Sequence, residues 1–280
     1  MKIGCMSCSF YGQLFDYNIP KVGNWWGELV GKYHREFGFS ELNSLLSHIH
    51  NLGFRHLELW QGHAFYMNLN SKEKAMQVLK IASDNDITID AYCAEVNGEN
   101  IKETESAFQF ANWLGVKVVI GGLRPEGEGL KVVDELCQKY QIYFAHESHH
   151  QSPEEQLKIV DKASSWIGIN IDTGWFCVKG HDSVEVAELL KDRICHVHLK
   201  NMKKNKKGEW ECCALNKGEV DIARFVRKLP DALYKGLLSI ELETETYDPS
   251  DILLESREFV ESLCGCSKIK CQDNLEMSLF

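Results

Sequence analysis

The chain has 280 residues, of which 44% are hydrophobic and 26% are charged, and this composition excludes a disordered or membrane-embedded protein. Its formal net charge of −10 opposes a nucleic acid as the main partner. We therefore expect a globular protein without nucleic-acid or membrane partners.

Apolar, β-branched runs alternate eight times with segments of helical period. The predicted strands are Lys2–Ser9, His56–Trp60, Thr88–Glu95, Lys117–Gly122, Ile142–Ser148, Gly168–Thr173, Ile194–Lys200 and Leu237–Glu243. The predicted helices are Glu41–Leu52, Lys72–Asp84, Lys102–Leu114, Leu130–Tyr140, Pro153–Ser164, Ser183–Lys191, Asp221–Leu229 and Ser250–Leu263. This repetition indicates parallel strands with crossover helices, and eight units close a barrel. We predict the α/β class and a single (β/α)8 TIM barrel domain over residues 1–280.

A long segment from Phe10 to Ser40 separates the first strand from the first helix. It is rich in aromatic residues, and such loops lie at the active-site face of barrels. We consider two interpretations: a lid that covers the substrate, and a loop that packs its aromatic side chains on the barrel rim.

Cysteine usage bears on the compartment. The eleven cysteines are an odd number scattered through a large chain, and neither the C-terminal cluster nor the adjacent Cys212-Cys213 has the paired spacing of a structural zinc site, which favours reduced thiols in the cytoplasm. The first residues read as a strand rather than a signal peptide, and no apolar run reaches the roughly 18 residues of a membrane span. The C-terminal tail, residues 264–280, contains Cys264, Cys266 and Cys271, which we interpret as bystander thiols.

Polar residues accumulate at the C-terminal ends of the predicted strands, where barrels carry their chemistry. Glu147, Asp172, His198 and Glu241 follow one another on the last four strands, so they can converge on one point. Like charges that converge inside a barrel repel and lose hydration unless a cation compensates them. Three oxygen ligands and one nitrogen suit Mn²⁺, Mg²⁺ or Co²⁺, and zinc less specifically. We therefore predict one divalent metal ion.

Several stretches resemble the xylose isomerase-like barrels, the superfamily of sugar phosphate isomerases and epimerases that also contains endonuclease IV. The similar stretches are Leu57-Glu58-Leu59-Trp60, Glu147-Ser148-His149, Ile169-Asn170-Ile171-Asp172-Thr173-Gly174, His196-Val197-His198-Leu199-Lys200-Asn201, Lys217-Gly218-Glu219-Val220-Asp221 and Ile240-Glu241-Leu242-Glu243. Each motif alone is weak, but their order and spacing together are fairly specific.

The resemblance implies that Glu147, Asp172, His198 and Glu241 bind the metal, and that the catalytic Glu147 and Glu241 also move a proton on either face of the substrate. Such chemistry passes through an enediolate and needs no organic cofactor. Residues predicted to bind the substrate are Glu58, Trp60, His63, His149, Trp175 and Lys200. Two positions depart from the family pattern: Trp175 replaces the histidine of Asp-x-x-His, and Asn201 replaces an aspartate.

The leading function is a metal-dependent isomerase or epimerase of a small sugar, keto sugar or polyol. Alternatives are an inosose-type dehydratase on the same site, a non-catalytic barrel and an endonuclease IV-like repair enzyme. The negative net charge of the chain opposes the last of these. Arg124 and Lys200 could meet a substrate phosphate or form surface ion pairs. The sequence leaves the sugar, its phosphorylation, the metal and a homo-oligomeric state undecided.

Overall fold

The computed structural model describes residues 1–19, 21–94, 96–124, 128–229, 234 and 236–264. Eight parallel strands close a barrel in the order β1-β10-β7-β6-β5-β4-β3-β2. The barrel strands are β1 Lys2–Met6, β2 His56–Trp60, β3 Thr88–Cys93, β4 Val118–Gly121, β5 Tyr143–His146, β6 Ile167–Asp172, β7 Ile194–Leu199 and β10 Leu237–Ile240. The predicted fold class is confirmed.

Helices surround the barrel and connect its strands. They are α1 Trp25–Glu36, α2 Phe39–Asn51, α3 Lys72–Asp84, α4 Ile101–Leu114, α5 Gly129–Tyr140, α6 Pro153–Val160, α7 Thr173–Val178, α8 Ser183–Leu190, α9 Ile222–Lys228 and α10 Ser250–Leu263. The apolar faces of most of them pack on the strands in one large core, whereas α1 packs with Tyr11 and Trp60 in a second cluster. Among the described residues, no helix combines the length and the hydropathy needed to cross a bilayer.

Local signals explain most of the helix boundaries. Helices α3 and α10 have the predicted bounds, and Ser152 caps α6 by accepting from the Glu155 amide, which Pro153 at the first helical position supports. The prediction that α6 runs to Ser164 is wrong. There Ser164 leaves the helical path, and its hydroxyl and amide donate to Asp134 instead. The predicted strand end at Glu95 lies outside the described residues, as does the tail from residue 265.

The long first segment is not simply a loop. The first strand ends at Met6 rather than at the predicted Ser9, and a 3-10 turn, Ser7–Phe10, leads into the segment. The segment contains a second 3-10 turn, Gln13–Phe15, and the helix α1, which Asn24 caps. The buried Leu29, Val30 and Tyr33 lie at helical spacing on one face, and the Tyr33 hydroxyl donates to backbone carbonyls of the preceding turn. The prediction missed this helix because the many aromatic residues of the segment also fit a loop that packs on the barrel rim.

A two-stranded antiparallel hairpin extends from the end of β7, with β8 Asn201–Lys204 and β9 Trp210–Cys213. The hairpin is rich in lysine, and its lysines after position 202 are exposed. Asn201 fastens the base of the hairpin: its amide donates to the carbonyls of Leu215 and Val220, and its oxygen accepts from the amides of Met202 and Val220. The hairpin therefore stands over the C-terminal face of the barrel.

Candidate metal centre and active site

Four polar side chains meet at the C-terminal face of the barrel. Asp172 ends β6, His198 is the penultimate residue of β7, and Glu147 and Glu241 directly follow β5 and β10. Each of the four offers one ligand atom, and these atoms all lie within 4.8 Å of one another. His198 Nδ1 lies 3.3 Å from Glu147 Oε1 and 3.1 Å from Glu241 Oε2. The four residues that the sequence predicts to converge do lie together; we call them the acidic cluster.

The buried atoms of the acidic cluster indicate that it fits a cation. Asp172 Oδ2, His198 Nδ1 and Glu241 Oε2 form no hydrogen bond of good geometry within the described part of the chain, and the two carboxylate oxygens have only the Lys200 ammonium beside them as a cationic partner. Buried polar atoms without partners are costly and therefore rare. A divalent cation would satisfy all three atoms together with Glu147, and the set of three carboxylates and one imidazole suits manganese or magnesium.

Glu58 fixes the orientation of His198 from below. Both carboxylate oxygens of Glu58 lie 3.0 Å from His198 Nε2, and its Oε2 lies 2.7 Å from His196 Nε2. An ionised carboxylate only accepts hydrogen bonds, so Nε2 of His198 carries the proton and the Nδ1 lone pair is left for a cation. Burial opposes the charge on Glu58, but His198 and His196 more than offset this and hold its pKa well below the usual range.

The acidic cluster competes for protons when no cation neutralises it. Burial raises the pKa of Asp172 to about 6; Lys200 opposes this rise, and the Glu241 and Glu147 carboxylates add to it. Burial lowers the pKa of His198, but the surrounding carboxylates reverse this and raise it well above the usual value. Since metal ligands must be deprotonated, a cation would displace these protons, and its affinity falls with falling pH.

Lys200 is the buried counter-charge of the cluster. Its side chain is 1% exposed, and its Nζ lies 2.9 Å from Asp172 Oδ2, 3.0 Å from Glu241 Oε2 and 3.0 Å from Glu243 Oε2. Gly174 makes room for it, because a Cβ at this position would lie 2.6 Å from Lys200 Cγ. Lys200 therefore holds three carboxylates in place.

A cavity of about 820 Å³ opens above the acidic cluster. Its described lining includes Glu147, His198 and Glu241 at the cluster and a wall of seven aromatic residues: Tyr11, Trp25, Trp26, Trp60, Trp175, Trp210 and Tyr247. His149 stacks on Trp175 with ring centroids 4.5 Å apart, and its Nε2 lies 3.7 Å from Glu147 Oε1. A polar group at the floor and aromatic walls are the usual composition of a small-molecule site.

The family model for the xylose isomerase-like TIM barrel matches residues 46–263, more than half of the chain. The chain belongs to this family.

Relatives within the family include more than one kind of enzyme. Inosose dehydratase from Clostridium perfringens (strain 13 / Type A) is 23% identical, with 68% of this chain and 82% of that protein covered. The probable 3-DHS dehydratase from Bacillus anthracis has a TM-score of 0.65 at 17% identity and covers 93% of this chain and 98% of its own. D-allulose 3-epimerase from Methylomonas sp. also has a TM-score of 0.65, at 12% identity, with coverages of 94% and 98%. The two structural likenesses show the fold alone.

The structure divides the predicted substrate-binding residues into two groups. Trp60, His149 and Trp175 line the cavity, whereas Glu58, His63 and Lys200 do not. Glu58 and Lys200 lie below the surface of the cavity and form buried ion pairs there, so contact of these two residues with substrate stays a prediction that the geometry of the cavity does not favour. His63 is buried, with Nδ1 3.1 Å from Ser7 Oγ, and faces a smaller pocket of about 240 Å³.

Other predicted positions are also explained by their contacts. Arg124 forms an exposed ion pair with Glu99 at 3.2 Å and does not line the cavity. Asn201, where the family pattern has aspartate, braces the hairpin rather than facing the cavity. None of the nine cysteines of the described residues forms a disulfide, while Cys266 and Cys271 lie outside the described residues.

Sequence reasoning missed Trp210 and Tyr247, which line the outer part of the cavity. Trp210 begins β9 of the hairpin, and Tyr247 donates from its hydroxyl to the Cys212 carbonyl. The only signal for Trp210 is an isolated aromatic residue after a lysine-rich stretch, and the hairpin that places it is visible only in three dimensions. Trp25 and Trp26 of the long first segment also line the cavity, and their role as a lid stays a prediction.

Proposed function

We propose that the chain is a divalent-metal-dependent isomerase or epimerase that moves a proton on a small sugar, keto sugar or polyol derivative through an enediolate. The observation that carries this proposal is the placement of two glutamates in the acidic cluster. In the barrel, β6 and β7 lie between β5 and β10, so Glu147 and Glu241 reach the cluster from opposite sides of Asp172 and His198. Two carboxylates so placed suit removal of a proton on one side and its return on the other.

The acidic cluster, Glu147, Asp172, His198 and Glu241, would hold the ion. When bound, a divalent ion supplies the Lewis acid that stabilises negative charge on adjacent hydroxyl and carbonyl oxygens of the substrate.

The protein's own residues prepare the two glutamates for proton transfer. Burial disfavours the charge on Glu147, but His198 and His149 outweigh it and hold the pKa of Glu147 well below the usual value, so Glu147 is in the ionised form that a base requires. Lys200 holds Glu241 through the 3.0 Å contact between Nζ and Oε2. The aromatic wall excludes water from the carbon acid, which protects the enediolate from side reactions.

A dehydratase is the second candidate, and two observations favour it. The curated relative is named inosose dehydratase, and His149 lies on the cavity surface beside Glu147. The first step would be the same removal of a carbon-bound proton, after which a β-hydroxyl leaves with a proton, for which His149 is a suitable donor. The six glutamates of the cavity lining give no support to a DNA-repair function.

The test is incubation of the metal-loaded protein with a panel of ketoses and inososes in D₂O, followed by NMR and mass spectrometry. We expect solvent deuterium at one carbon and a product isomeric with the substrate; loss of one water identifies the dehydratase instead. Product that forms without solvent deuterium in either direction indicates a hydride shift and contradicts the proposal.

Two variants assign the proton transfers. Glu241→Gln should abolish net conversion, with a loss of about 10²–10⁴-fold or more, while Glu147 can still exchange the carbon-bound hydrogen with solvent. Both glutamates belong to the acidic cluster, so each variant is compared with the wild type at saturating metal. If Glu241→Gln and Glu147→Gln lose hydrogen exchange equally at full metal occupancy, the two proton transfers do not belong to separate residues. This result would contradict the two-base scheme.

A further inference from the structure

The cavity is larger than one sugar ring requires. Even at the roughly 30 Å³ that one water molecule occupies in the liquid, the twelve non-hydrogen atoms of a hexose fill about 360 Å³. The cavity measures about 820 Å³, so more than half of it lies beyond a single ring seated at the acidic cluster. A volume of this size belongs to the range that encloses drug-sized ligands.

The outer part of the cavity has aromatic surfaces suited to a second ring. Trp210 and Tyr247 both line it, Tyr247 is 39% exposed, and Trp210 is half-buried. The hydrogen bond from the Tyr247 hydroxyl to the Cys212 carbonyl joins this loop to the hairpin. The two aromatic side chains are thus held by backbone structure, with ring surface left for a ligand. Sugar faces and aromatic rings both pack on such surfaces.

The charges of the lining favour an uncharged substrate over an anionic one. Among the described lining residues, Lys21 is the sole lysine or arginine, and its Nζ lies 2.5 Å from Glu245 Oε1. The two histidines of the lining, His149 and His198, both contact Glu147. These basic groups are therefore already paired, while six glutamates line the cavity. A phosphate or carboxylate on the substrate would meet more negative than positive groups in this lining.

We propose that the substrate is an uncharged two-ring compound: a polyol ring at the acidic cluster carries a second ring, sugar or aromatic, that packs against Trp210 and Tyr247. The position of the first ring rests on the proposed function. The second ring supplies binding energy remote from the reacting carbon, which an enzyme can use to orient the substrate.

The test is calorimetric titration of the Mn²⁺-loaded full chain with matched probes. These are methyl β-D-glucoside, phenyl β-D-glucoside, cellobiose and glucose 6-phosphate, with the corresponding galactose compounds. We expect the phenyl glycoside or the disaccharide to bind about tenfold tighter than the methyl glycoside, and the phosphate to bind no tighter. The phenyl and disaccharide arms distinguish an aromatic second ring from a sugar.

Paired variants separate this subsite from general effects on folding. Tyr247→Ala and Trp210→Ala should each remove most of the two-ring advantage and leave binding of the methyl glycoside unchanged. Their controls are Tyr143→Ala and Trp166→Ala at the opposite end of the barrel. Tyr143 is also 39% exposed, and its ring centroid lies 4.8 Å from that of Trp166. The controls should keep the full preference.

Several outcomes would overturn the inference. These are equal binding of one-ring and two-ring probes, tightest binding of the phosphate, no millimolar binding of any two-ring probe, or equal loss for all probes in Tyr247→Ala. The readout is binding, so it separates this inference from the proposed function. If one-ring sugars take up solvent deuterium but two-ring probes bind no tighter, the proposed function is supported and this inference is contradicted. If two-ring probes bind tighter in a Tyr247-dependent way but no deuterium is incorporated, this inference is supported and the proposed function is contradicted.

Discussion

Glu58→Gln tests whether the carboxylate below His198 prepares the acidic cluster for a metal. Glu58 is fully buried and accepts from Nε2 of both His196 and His198. Glutamine has the same shape but one acceptor oxygen, and its amide group only donates. One of the two imidazoles must then lose its acceptor or move its proton to Nδ1. If His198 moves its proton, the lone pair that faces the cluster is lost.

The size of the effect follows from these contacts. Changing the carboxylate that orients a metal-bound histidine typically reduces metal affinity by about 10–100-fold, which corresponds to roughly 1.4–2.7 kcal/mol. The upper part of this range applies here if the amide group faces His198, because Glu58 now contacts His198 Nε2 with both oxygens at 3.0 Å. A buried donor left without an acceptor also costs about 1–3 kcal/mol of the free energy of unfolding.

The assay is competition for Mn²⁺ with a chelator of known affinity, with circular dichroism as a check on folding. Asp90→Asn is the matched control, because Asp90 Oδ2 also accepts from a histidine, His56 Nδ1, at 2.8 Å. This pair lies near the N-terminal ends of the strands, away from the cluster. We expect the control to keep its metal affinity. A folded Glu58→Gln protein that binds Mn²⁺ as tightly as the wild type would refute the positioning role of Glu58.

Three further predictions address the cluster, the first segment and the effect of pH. We expect about one divalent ion per chain, and Glu147→Gln, Asp172→Asn and His198→Ala should each reduce the metal content measured by mass spectrometry; unchanged content in all three rules out the site. Trp25→Ala and Trp26→Ala should lower turnover more than the melting temperature, whereas lower melting temperatures with normal specific activity indicate packing on the rim. Burial raises the pKa of Asp90, but His56 and Lys2 outweigh burial and hold this pKa below the unfolded value of about 3.9. The ionised Asp90 therefore stabilises the folded protein at pH values above the unfolded pKa, and this stabilisation is lost as pH falls through the folded pKa. Asp90→Asn should therefore lower the free energy of unfolding at pH 7 by about 1–3 kcal/mol, and in urea titrations the difference from wild type should begin to shrink near pH 4 and disappear only below the folded pKa of Asp90; a difference independent of pH would contradict this.

The barrel could be predicted from sequence because each strand–helix unit has a recognisable local pattern. Buried parallel strands give short apolar runs, and helices between them begin and end with local signals such as Ser152-Pro153 and Gly115. The hairpin and α7 gave no such signal. Helix α7 has six residues and depends on Asp172, whose Oδ1 accepts from the Trp175 amide. One carboxylate thus caps a helix and offers its other oxygen to the cluster, and residue spacing alone does not reveal this double use.

The acidic cluster could be predicted, but the roles of its neighbours could not, because alternation along a strand fixes the face of a side chain and not its depth. Glu58, His196 and His198 all point into the barrel, yet Glu58 is the third residue of a five-residue strand and lies below His198.

That depth depends on the register between strands. The register shifts between Leu57 and Glu58 on β2 and between Ile169 and Asn170 on β6, and such irregularities cannot be read from residue types. The position of Lys200 beneath three carboxylates also depends on how neighbouring strands are placed. It requires the close approach of Gly174, which lies at the start of α7 directly after β6. Polar residues at strand ends therefore indicate where the chemistry lies. Which of them contact substrate and which support those that do is decided by how the strands are staggered around the barrel.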